Sequence, residues 1–210
     1  MATQPVTNDH NVTATAAVTF ARFAGFCALM TGVVGLLYAI SFIVLRNTLL
    51  SSLFLMLGGL LSLGVLSAVY QCFTEKYPAF ARWAFLLSVT GASGALIHGG
   101  YDLANALHPQ ALTAAEAGLP NAIDPRGLLT FGIAGLALFL IAWLIGRDSS
   151  FPRALSYWGY VTGVLLVGLY LSRLILLDPT MPLIVFLALV SGFVLNPIWY
   201  IWLGITLMRR

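Results

Sequence analysis

The chain has 210 residues, 60% of them hydrophobic and only 8% charged, and its mean hydropathy is +0.95. A water-soluble domain carries about a quarter of its residues as Asp, Glu, Lys and Arg, so this composition excludes one. Ten basic and seven acidic residues, a net charge of +3, are too sparse for nucleic-acid binding or an arginine-rich voltage sensor.

What remains is an all-α polytopic membrane protein, because several segments exceed the roughly 20 apolar residues that cross a bilayer core and none alternates as a barrel strand would. Residues 1–17, polar and rich in Thr, Asn and Ala, read as a disordered cytoplasmic tail. They have neither the basic start nor the apolar core of a signal peptide. Residues 18–210 read as a single domain, a bundle of six transmembrane helices. The spans are Phe20–Leu45, Leu49–Phe73, Ala81–Leu107, Pro125–Ile145, Pro152–Leu177 and Met181–Met208. Between spans three and four, Thr113-Ala114-Ala115-Glu116 fits a capping box and Gly118 a stop, which predicts a short extracytoplasmic helix.

Orientation follows from the basic residues near the span ends. Arg22, Lys76, Arg82, Arg147, Arg153, Arg209 and Arg210 fall on one side, and Arg46, Arg126 and Arg173 on the other. The side with seven is expected to be cytoplasmic, with both termini inside. All five tryptophans lie toward that side, as an aromatic belt would. Spans one, three and five share an arginine followed by a Thr-Gly pair (Thr31-Gly32, Thr90-Gly91, Thr162-Gly163), a pattern that three parallel hairpins would explain. Cys27 and Cys72 make no motif.

The most informative stretch is Gly91 to Gln110. Here His98, Asp102 and Asn105 stand at i, i+4 and i+7 on one helical face, which continues inward as Gly91, Gly94 and Ala95. Asp102 and Arg173 lie at similar depth, roughly 7–9 Å below the ends of spans three and five at 1.5 Å per residue. An unpaired charge in a span is costly, so a pairing of Asp102 with Arg173 is expected. Tyr101 and Tyr170 join His98, Asp102, Asn105 and Arg173 as candidates for a polar pocket, with Asp124 and Arg126 at its mouth; the alternative is a structural ion pair with a hydrogen-bonded histidine. A metal site is not expected, because His98 and Asp102 lack further ligands, and a haem would need a second intramembrane histidine. No cofactor is predicted. The serines lack a Gly-x-Ser-x-Gly setting, and there is no phosphate loop.

In span six, Asn196-Pro197 predicts a kink, since proline frees the Phe193 carbonyl. The stretch Asn196-Pro197-Ile198-Trp199-Tyr200-Ile201-Trp202-Leu203-Gly204, ending before a basic terminus, resembles the last span of a bacterial family of small multi-pass proteins, domain of unknown function 4386. The resemblance implies six or so helices in the cytoplasmic (inner) membrane of a bacterium and carries over no activity or site.

Three functions are compatible with these residues. The first is a non-enzymatic accessory protein binding partner membrane proteins through small-residue seams such as Gly58 to Ser62. The second is a carrier or binding protein for a small or lipid-like molecule, using an outward-facing polar pocket. The third is a membrane enzyme with His98 and Asp102 in acid–base chemistry. A filled polar cluster favours the first, and a cavity running toward the midplane favours the second.

Overall fold

The structure, a computed structural model, describes residues 8–108, 126–176 and 181–210, with side chains described from residue 18 onward. Helix α1 (Asn8–Ala39) continues as a π-helical turn, Ile40–Val44. Helices α2 (Thr48–Phe73) and α3 (Pro78–Leu107) follow. A π-helical stretch, Leu128–Ile133, leads into α4 (Ala134–Gly146), and α5 is Arg153–Leu176. The last span is built from α6 (Pro182–Val190), a third π-helical turn (Ser191–Leu195) and α7 (Asn196–Met208). These elements form six helices long and apolar enough to cross a membrane, with no strand among the described residues. The protein is a multi-pass, all-α membrane protein.

One expectation needs amendment. The helix of span one begins at Asn8, so residues 8–17 continue it rather than forming a tail. No glycine or proline stands between Pro5 and Gly25 to stop it. The predicted Thr113–Glu116 helix lies outside the described residues.

Local chemistry explains the boundaries. Asn47 caps span two, its side-chain oxygen accepting from the Leu50 N–H at 3.0 Å. Pro78 and Pro182 occupy first turns, where the missing N–H has no helical partner anyway. Ahead of Pro197 the chain absorbs the lost donor as a π turn, with the Asn196 N–H donating to the Ser191 carbonyl. Trp158 of span five donates to the Leu195 carbonyl at 3.1 Å.

The spans form a ring. Each packs against its neighbours in sequence, and span six packs back on span one. Glycines bring the helices into backbone contact: a Cβ at Gly204 would lie 2.7 Å from the Gly25 carbonyl oxygen, and one at Gly163 would lie 2.8 Å from that of Gly135. The three Thr-Gly pairs share a local geometry, each threonine donating to the carbonyl four residues earlier at 2.8–2.9 Å. They do not make a threefold assembly, because Gly91 and Gly163 both face span four whereas Gly32 faces span six.

Both termini lie on one face of the ring, and the half nearest them is solid. Phe73, Ile145, Leu155, Trp199, Leu203 and Leu207 are fully buried there. Trp199 is therefore a core residue, not part of an aromatic belt, because its helix turns that face inward. Toward the opposite face spans one and six part company. They touch at Ala39 and Gly192, where a glycine Cβ would sit 3.1 Å from that of Ala39. Beyond that point the π turn of span one stays on span two while α6 stays on span five, which leaves a lateral gap.

The turns on the terminal face are tied together. Asp148, buried, takes the Lys76 ammonium at 3.2 Å and the Ser150 N–H and hydroxyl at 2.9 and 2.8 Å. The Arg210 guanidinium donates to Cys72 Sγ at 2.9 Å and lies 3.9 Å from the Phe151 ring centre. Burial opposes the Asp148 charge, but the two Ser150 donors and Lys76 outweigh it and hold the pKa down to about 2, against an ordinary 3.8. The ionised form stabilises the fold above pH 4, and that stabilisation disappears as pH falls from about 4 through about 2. With Lys76 61% exposed, its size is about 1–2 kcal/mol. Thermal unfolding of wild type should therefore drop over that interval, and Asp148→Asn should lack this component. Parallel pH profiles for the two proteins would contradict the assignment.

Candidate functional site

The parting of the helices encloses a cavity of about 700 Å³. This is within the range of small-molecule sites. On span three the lining runs from Asp102 inward to Ser88, fourteen residues, or roughly 20 Å at 1.5 Å per residue. Its mouth is polar: Arg46, Asn47 and Thr48 in the turn between spans one and two, His98 and Asp102 on span three, Thr130 on span four and Arg173 on span five. Its interior is apolar, with Phe54, Phe131, Leu138, Ile141 and Leu166, and Trp199 and Tyr200 contribute from span six. Each of the three π-helical turns contributes lining residues, among them Phe42, Phe131 and Ser191. Two buried polar atoms of lining residues, Ser191 Oγ and Trp199 Nε1, have no hydrogen-bond partner among the described residues. Both atoms are fully buried, and Trp199 Nε1 points at the Gly159 backbone of span five.

The ion pair at the mouth differs from the expected one. Asp102 Oδ1 lies 2.9 Å from Arg126 Nη1, not against Arg173. The reason is the ring order: span four separates spans three and five, whereas Arg126 opens span four beside the end of span three. Asp102 Oδ2 is also 3.4 Å from His98 Nε2. The Thr130 hydroxyl donates to the Arg126 carbonyl at 3.0 Å, and His98 Nδ1 lies 3.3 Å from its oxygen. Both ring nitrogens of His98 are thus engaged.

The remaining predicted residues disperse. Tyr101 is exposed on the outer side of span three, where the Arg126 guanidinium covers its ring at 4.6 Å. Asn105 is exposed in the last turn of α3 and is not part of the cavity lining. Tyr170 packs on Gly132 at the contact of spans four and five, outside the cavity lining. Asp124 lies outside the described residues. Arg173 and Asn196 line the cavity, and Pro197, buried, sits just beyond the π turn. Sequence reasoning missed Arg46, whose turn position hid its place at the mouth, and Tyr38, which lines the same cavity as Arg173 and Asp102. A tyrosine on the face of span one that also carries Thr31 and Gly35 was the available signal for it.

Among the described residues no group of three His, Cys, Asp or Glu converges as a metal site. No family model matches the chain, and no curated protein or solved structure matches it.

Proposed function

We propose that the chain is a binding or carrier protein for a lipid-like amphiphile, held in the central cavity with its polar end at the mouth. The single observation behind this is the cavity itself, polar at one end, apolar within, and open sideways between spans one and six. The lateral gap gives a membrane-dissolved molecule a way in that avoids water. The excess of basic residues at the terminal face supports an orientation with both termini cytoplasmic and the mouth outward. A bacterial cytoplasmic membrane is what the resemblance of span six implies. An accessory role is less well supported, because the polar cluster borders open space rather than filling it. The engagement of both His98 nitrogens, by Asp102 and by Thr130, supports a positioning role for that ring.

Gly35 offers a clean test. It lines the cavity, and a Cβ there would meet nothing within 4 Å, so Gly35→Trp fills the space without moving a helix. The purified wild-type chain should bind the neutral polyene ester methyl cis-parinarate saturably, about one per chain, and Gly35→Trp should abolish this with its melting temperature unchanged. Saturable binding that survives Gly35→Trp, or none in wild type, would refute the reading.

A further inference from the structure

We infer that the amphiphile is acidic, and that Arg46 and Arg173 hold its carboxylate or phosphate at the cavity mouth. This rests on the cavity reading above and names the class of molecule it takes.

The inference starts from a charge inventory. The charged residues lining the cavity are Arg46, Arg173 and Asp102. The Asp102 carboxylate is already engaged by Arg126 at 2.9 Å and by His98 at 3.4 Å. Among the described residues neither Arg46 nor Arg173 meets a carboxylate or a hydrogen-bond acceptor. The mouth therefore presents two uncompensated guanidinium groups beside a neutralised acid. That pattern selects an anion and disfavours a cationic headgroup. Arginine suits the task, because its planar fork matches carboxylate and phosphate oxygens two at a time.

Arg173 is half-buried in the outer part of span five, where an unpaired charge is costly unless something answers it. Tyr38, on span one, lines the same cavity as Arg173 and Asp102, so these groups face one space across the ring.

Arg46 carries an independent sign of use. Among the described residues it alone has a positive φ, at 49°. Side chains of L-residues avoid this left-handed conformation, and such residues persist where the surroundings enforce them, often at binding sites. The enforcement is visible: the Leu45 N–H donates to the Ile40 carbonyl at 3.0 Å and the Asn47 N–H to the Ser41 carbonyl at 2.9 Å. The π turn of span one thus fixes the turn whose side chain lines the mouth. A glycine or asparagine would ease that backbone, but neither would supply the charge.

The test uses the full-length chain in micelles of neutral detergent and two probes that differ only at the headgroup, cis-parinaric acid and its methyl ester. The acid should bind at least about tenfold more tightly than the ester. Arg46→Gln and Arg173→Gln should each weaken the acid about tenfold, as expected for one charge-assisted contact, and leave the ester unchanged. Arg46→Lys and Arg173→Lys should retain most of the preference. If a glutamine variant fails to fold, the wild-type chain still answers, because the acid preference should shrink as salt is raised. Hexadecyl phosphate should displace the acid, whereas inorganic phosphate at the same concentration should not. Equal affinity for acid and ester with saturable ester binding would overturn the headgroup assignment alone. Displacement by inorganic phosphate would overturn the amphiphile class in favour of a free anion. No saturable binding of either probe would remove the cavity reading and this inference together.

Discussion

Gly99→Ala is expected to destabilise the bundle by about 3 kcal/mol, the upper end of what overpacking costs. A Cβ at Gly99 would lie 2.5 Å from the Met56 amide nitrogen and 2.6 Å from the Ser52 carbonyl oxygen. Both are backbone atoms of span two, so no side chain can rotate away and the two helices must separate. The neighbouring Gly100 supplies the control, since its Cβ would meet only Met56 Sδ at 3.9 Å. There alanine should be neutral or slightly stabilising, because it favours the helix by about 1 kcal/mol. Unfolding in mixed micelles as the denaturing detergent fraction rises measures both. Equal stability of the two variants would mean that spans two and three do not cross as closely as described.

The second large effect concerns Asp102. Asp102→Asn and Arg126→Gln should each cost about 2 kcal/mol, less than for a fully buried pair because these side chains are 31% and 24% exposed. The double variant should cost little more than either single one, which corresponds to a coupling of about 1–2 kcal/mol. Asp102→Asn combined with Arg173→Gln should instead be close to additive. The opposite pattern, coupling to Arg173 and additivity with Arg126, would restore the pairing that depth alone suggests.

That contrast shows what a linear sequence conveys and what it does not. Span number, span limits and the Pro197 irregularity follow from hydropathy and from the geometry of a missing donor, both local properties. The depth of Asp102 and Arg173 is equally local, because it is a count of residues from a helix end. Which helices are neighbours is not local. Asp102 had two cations available at its level, Arg126 and Arg173, and only the order of spans around the ring chose between them. Asn105 illustrates a second limit: it keeps the phase of His98 and Asp102, yet in the last turn of α3 it stands exposed and outside the cavity lining. Arg46 was invisible for a third reason. Its importance lies in a left-handed backbone angle, and non-glycine residues give no compositional warning of one.

The ring also has a consequence in time. Contacts between consecutive spans can form as each hairpin leaves the ribosome, and such local pairings are fast. The packing of span six on span one, with Gly25 against Gly204 and Gly32 against Pro197 and Ile201, joins the first span to the last. Until span six is inserted, the assembly is an open arc whose inner wall, polar mouth included, is exposed to lipid. The final helix therefore acts as a clasp. Any mutation that delays it, at Gly204 or at the Pro197 turn, leaves an otherwise complete five-helix intermediate, the kind of species that quality control recognises by its unshielded charges.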